Sequence, residues 1–139
     1  MNNLFFSYRS LNTDLAALLL RIILGGLMAY HGYTKFEAYD KILPMFGDII
    51  GIGSKPSFNL VIFAELFCGL LVVIGFLTRL TVIPILIAMG VAFFVAHGND
   101  PFQNKELPLT FFLLTFVVFI LGSGKYSVDG LLFKKRDNL

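Results

Sequence analysis

Four apolar stretches, each close to the length needed to cross a bilayer, constrain this chain more than anything else in its sequence. Crossing about 30 Å of hydrocarbon takes roughly 20 helical residues. Spans are predicted at about 15–33, 58–77, 80–96 and 107–121. Inside lipid every backbone N–H and C=O must be satisfied within the protein, which leaves helices or a closed barrel. A barrel needs alternating polarity in runs of about ten residues, and no such alternation is present. The sequence therefore predicts an all-α integral membrane four-helix bundle, one domain over residues 1–139. Composition agrees: 57% of residues are hydrophobic and 14% charged, against roughly 45–50% and about 25% in soluble domains.

The ends of the spans are marked by polar residues. Thr13-Asp14 is an N-cap candidate before the first, Lys55-Pro56-Ser57 precedes the second, and Gly122-Ser123-Gly124 ends the fourth. Only Thr78-Arg79 separates the second span from the third, so these two form a tight hairpin. No small-residue cleavage site follows the first span, which is read as a retained helix. Arg9, Arg79, Lys125, Lys134, Lys135 and Arg136 fall on one side of the bundle, and Lys35, Lys41, Lys55 and Lys105 on the other. The positive-inside rule then puts both termini and the 78–79 turn in the cytoplasm of a multi-pass protein of the cell membrane. The loop 34–57 mixes apolar and charged residues and is too interrupted to span. It is expected to lie as an amphipathic or re-entrant segment over the outer mouth.

Several functions are excluded or left without a signal. A formal charge of +2 with no basic, aromatic-interleaved patch points away from nucleic acid. Cys68 is the single cysteine, so there is no intrachain disulfide and no reading of redox compartment. Gly51-x-Gly53 lacks the rest of any phosphate-binding fingerprint, and no CxxC occurs.

Small residues mark the faces on which membrane helices approach closely. Arg21, Gly25, Met28 and Gly32 form one stripe on the first span; Glu65, Gly69, Val72 and Phe76 repeat that spacing on the second; Gly90, Phe94 and His97 make a third. The charged residues within these stripes are informative because a charge at membrane depth costs at least about 2.5–3.5 kcal/mol. By helical rise, Arg21 and Glu65 lie at levels differing by roughly 10 Å, a gap that a stretched arginine would only just bridge. Arg21 is read as a structural residue or an anion anchor, and Glu65 as either a proton- or ligand-handling group or half of a structural ion pair. His31, Glu65 and His97, with Lys35 one turn beyond His31, are expected to converge on a polar pocket at the outer mouth, fit for a small polar head group, a proton relay or a metal. Histidine with carboxylate suits several transition metals. These ligands come from three helices without a recognised local spacing, so no metal is assigned.

Several motifs in order resemble the DoxX family of small four-helix membrane proteins. The first span reads Leu20-Arg21-Ile22-Ile23-Leu24-Gly25-Gly26 and then His31-Gly32-Tyr33-Thr34-Lys35-Phe36. The second reads Glu65-Leu66-Phe67-Cys68-Gly69-Leu70-Leu71 and Gly75-Phe76-Leu77-Thr78-Arg79-Leu80. The tail, Gly122-Ser123-Gly124-Lys125-Tyr126-Ser127-Val128-Asp129-Gly130, is similar to the family's GPGRYSLD signature with Ser123 for Pro and Lys125 for Arg. The likeness runs over about residues 15–132. It implies the four-helix fold and an association with redox chemistry, since the group includes the small subunit of a thiosulfate:quinone oxidoreductase and proteins of oxidative-stress complexes. Arg21, His31, Lys35, Glu65 and His97 are then the candidate ligand-binding or proton-handling residues, and a quinone is the cofactor the resemblance suggests.

Three functions follow from these readings. One is an accessory or quinone-associated subunit of a membrane redox system, partnered by an oxidoreductase subunit. Another is a small transporter or channel with Glu65 in its path. The third is a ligand-free scaffold for a partner protein, and a homo-oligomer is compatible with all three.

Overall fold

A computed structural model of the chain describes residues 4–134. Lys135 and Arg136 of the basic tail cluster lie outside the described residues. The described chain is all-helical: α1 (Thr13–Glu37), a short α2 (Tyr39–Ile42), α3 (Ser54–Ile74), α4 (Thr78–Ala96), α5 (Phe102–Leu121) and a terminal α6 (Val128–Phe133). Helices α1, α3, α4 and α5 are long and apolar enough to cross a membrane, as the sequence predicts. α1 packs on α3, α3 on α4, α4 on α5, and α5 returns to α1, closing a four-helix bundle.

Each span begins or ends a few residues from the position read in the sequence. Asn12, not Thr13 or Asp14, caps α1, its side-chain oxygen accepting from Leu15 N at 3.0 Å. Asp14 instead accepts from Lys125 N at 3.0 Å and ties the start of α1 to the tail. α1 also runs four residues past Tyr33, to Glu37. The hairpin turn lies at Gly75–Leu77 rather than at Thr78-Arg79, which form the first turn of α4. Gly75 sits at φ 73°, where a side chain would be strained, and Gly75 N and Phe76 N both donate to Leu71 O. Leu77 is also left-handed at φ 45°; Asp129 accepts from Leu77 N at 2.7 Å and from Thr78 N at 3.0 Å, so the tail pins this turn and caps α4.

The α1 stripe is buried as expected: Arg21, Gly25, Met28 and Gly32 all face the bundle. A methyl group on Gly25 would stand 2.5 Å from Gly69 O, and one on Gly69 would stand 2.8 Å from Ala29 N. One on Gly32 would strike the Leu66 backbone. These three glycines are what lets α1 and α3 touch backbone to backbone. On α3, Glu65, Gly69 and Val72 are buried, whereas Phe76 lies beyond the helix end. The α4 stripe is a correction. Its buried residues are Thr78, Thr81, Val82, Ile85 and Met89, and Phe94 is 65% exposed, although Gly90 and Phe94 do brush Phe112 on α5. The stripe thus skirts the α5 contact, and the side chains that α4 buries lie before the π turn over Ala92–Ala96.

The central core is formed by Leu24, Met28, Val72, Val82, Ile85 and Val118, all nearly inaccessible. It separates two polar ends. At the tail end, α6, the α3–α4 turn and the start of α1 are stitched together. At the mouth end, the segment from α2 to Gly53 crosses the bundle, with Tyr39 and Phe46 rings on Phe58 at 5.2 and 4.9 Å and Tyr39 Oη donating to Asn59 Oδ1 at 2.6 Å.

Candidate functional site

Glu65 lies in a second π turn, Phe63–Phe67, in the middle of α3. Such turns interrupt the regular helical ladder and are frequent at functional sites. The turn points the Glu65 carboxylate into the bundle, where it is 3% exposed. Its partner is Lys35, whose Nζ donates to Oε2 at 2.6 Å. The extra turn of α1 beyond Tyr33 makes this pair possible, because it holds Lys35 on the helix and level with α3. With an opposite charge and a direct hydrogen bond, the carboxylate is not left as an isolated ion in a low-dielectric interior.

Arg21 does not join this group. It is fully buried and donates to Val72 O at 3.4 Å, to Val73 O at 2.9 Å, and to Tyr126 O. Gly32 packs at Leu66, next to Glu65, and Arg21 precedes Gly32 by eleven residues, or about 16 Å along the axis. That separation exceeds the reach of the side chain, so Arg21 and Glu65 belong to opposite ends. Arg21 clamps the last carbonyls of α3 and the tail.

His31, Lys35, Glu65 and His97 do share one space. They line a cavity of about 390 Å³ at the mouth end, walled by Met28, Met89, Phe111 and the overlying Met45 and Phe46. The His31 ring stands edge-on to Phe111 at 5.7 Å. His97 Nδ1 is 2.7 Å from Asp100 Oδ2, a pairing that fixes which ring nitrogen remains for the cavity. Among the described residues no three His, Cys, Asp or Glu side chains are close enough to hold a metal ion.

A second hollow, of about 310 Å³, shares Phe46, Ile49, Val61, Ala88 and Val91 with the first. Its lining side chains are apolar except for Ser57. The Ser57 hydroxyl is buried and has no hydrogen-bond partner among the described residues. Outward-facing Leu60 and Ile87, more than half exposed, lie along this hollow. The two spaces adjoin across these shared residues, a charged, hydrogen-bonding lobe beside an apolar one. Ser57, Phe46 and Phe111 were not candidates in the sequence. Ser57 reads there only as part of a helix start, and the aromatics are indistinguishable from the other fourteen Phe.

Comparison with known proteins identifies the family of the chain. The chain is 29% identical over 128 residues to the Bacillus subtilis (strain 168) protein named "Putative oxidoreductase CatD", covering 90% of this chain and 92% of that one. No solved structure matches it. The DoxX family model matches residues 16–98, which include all five candidate residues and stop short of the tail motif. The chain belongs to the DoxX family.

Proposed function

We propose that this protein is a quinone-associated accessory subunit of a redox system in the cell membrane, with its mouth facing out and both termini in the cytoplasm. The observation that carries the reading is the two-lobed cavity. Its polar lobe offers the Lys35 ammonium and the His31 imidazole as hydrogen-bond donors beside the Glu65 carboxylate, with the His97 ring, paired to Asp100, at its edge. Its apolar lobe runs between α3 and α4 beneath the loop. A quinone has two carbonyl acceptors on a flat ring and an apolar chain, and this donor set with its apolar extension fits both parts. When bound, a quinone supplies two-electron, two-proton redox chemistry. The chain's own residues would orient the head group and hold protons at Glu65 and the two imidazoles, while Met28, Met89 and Phe111 keep bulk water from the polar lobe.

The oxidoreductase name of the Bacillus relative supports a redox setting. A transport path is less well supported, because Leu24, Val72, Val82, Ile85 and Val118 fill the bundle between the cavity and the tail end. The test is extraction of the purified protein. Quinone at near-stoichiometric amounts, lost on Glu65→Gln, agrees with the proposal. Absence of quinone, together with unchanged quinone-dependent electron flow in a deletion strain, overturns it.

A further inference from the structure

The tail end holds a groove of about 800 Å³ that the mouth site does not use. Arg79, Lys125 and Lys134 line it, and no carboxylate pairs with any of them among the described residues. Asp129 also lines it, but both its oxygens are taken by Leu77 N and Thr78 N, so its charge is directed at the start of α4. The Arg79 guanidinium donates to Phe119 O at 3.1 Å and reaches Ile120 O at 3.5 Å, leaving further N–H groups unused. The Lys125 ammonium lies 5.0 Å above the Tyr126 ring. The Thr78 side chain, whose buried hydroxyl has no partner among the described residues, lines the same groove.

The walls are as informative as the cations. Leu80 is 63% exposed and Leu131 80% exposed, with Leu77 and Phe133 beside them. The groove lies where α4 begins and α5 ends, which is where hydrocarbon gives way to head groups. A soluble phosphate compound has no use for such walls, whereas acyl chains cover them.

We propose that this groove binds the phosphate of an anionic phospholipid, held by Arg79, Lys125 and Lys134, with its acyl chains against Leu80 and Leu131. α6 then lies in the interface as an amphipathic lid over the bound lipid. Basic pockets between membrane helices are suited to such head groups, each cation near an anionic surface contributing about fivefold in affinity.

The test uses full-length protein in nanodiscs containing equal phosphatidylglycerol and phosphatidylcholine, with the lipids carried into native mass spectrometry counted per protein. The wild type should retain phosphatidylglycerol in preference, and Lys125→Gln/Lys134→Gln should lose that preference by roughly an order of magnitude or more. Circular dichroism confirms that the variant is folded. Lys135→Gln/Arg136→Gln carries the same change of charge at the next two residues of the sequence and should keep the preference. Equal retention of both lipids by the wild type overturns the proposal, as does a preference that follows Lys135 and Arg136 instead of Lys125 and Lys134. Abolition by millimolar inorganic phosphate also overturns it, by assigning the groove to a soluble anion. Arg79 is left intact because it also holds the end of α5.

Discussion

Lys35 and Glu65 are oppositely charged and 2.6 Å apart, and the carboxylate is buried, so removing Lys35 strands Glu65. Lys35→Met should lower stability in detergent by about 3 kcal/mol, near the lower end for a broken buried pair because Lys35 is partly exposed. Adding Glu65→Gln should recover much of that loss, and thermal unfolding of the two variants checks the order. Ser57 behaves oppositely. Its hydroxyl is buried and unpartnered, so Ser57→Ala should leave the melting temperature unchanged or raise it. Glu65, His31 and His97 could be singled out in the sequence because polar residues within apolar spans are few. The identity of Glu65's partner could not be read there. Hydropathy reports where lipid contact ends, and it ends at Tyr33; it does not report that α1 continues as a helix and carries Lys35 with it.

At the level of elements, α1 and α3 owe their contact to Gly25, Gly32 and Gly69. Gly32→Ala would push a methyl group into the Leu66 backbone, which has no flexible end to yield, and should destabilise the protein by about 1–3 kcal/mol. Gly26→Ala, with open space at that position, should be nearly silent; paired melting curves distinguish the two. The tail depends on polar stitching instead. Asp129→Ala removes both acceptors for Leu77 N and Thr78 N and should cost about 1 kcal/mol, typical of a lost helix cap. Faster tryptic cleavage at Lys125 should accompany it. The helix faces of α1 and α3 were legible from small-residue spacing, since their backbones approach too closely at Gly25, Gly32 and Gly69 for any side chain. The face of α4 was not, because the residues it buries, Thr78, Thr81, Val82, Ile85 and Met89, include no glycine to mark it.

For the whole molecule, four spans, their order and their closure into a bundle follow from apolar length alone, since backbone groups in lipid have few ways to be satisfied. The division of labour between the two ends does not follow from the sequence. Arg21 and Glu65 look alike as buried charges, yet the packed middle of the bundle assigns one to clamping the tail and the other to the mouth cavity. Arg21→Met should therefore loosen the tail while leaving any mouth ligand in place. The central claim, that the two-lobed mouth cavity holds a quinone against Lys35 and Glu65, is tested most directly by quinone extraction. Chromatographic quantification on wild-type, Arg21→Met and Glu65→Gln protein purified in parallel should give comparable, near-stoichiometric quinone for the first two and strongly reduced quinone for the third. Equal amounts in all three, or none in the wild type, would contradict it.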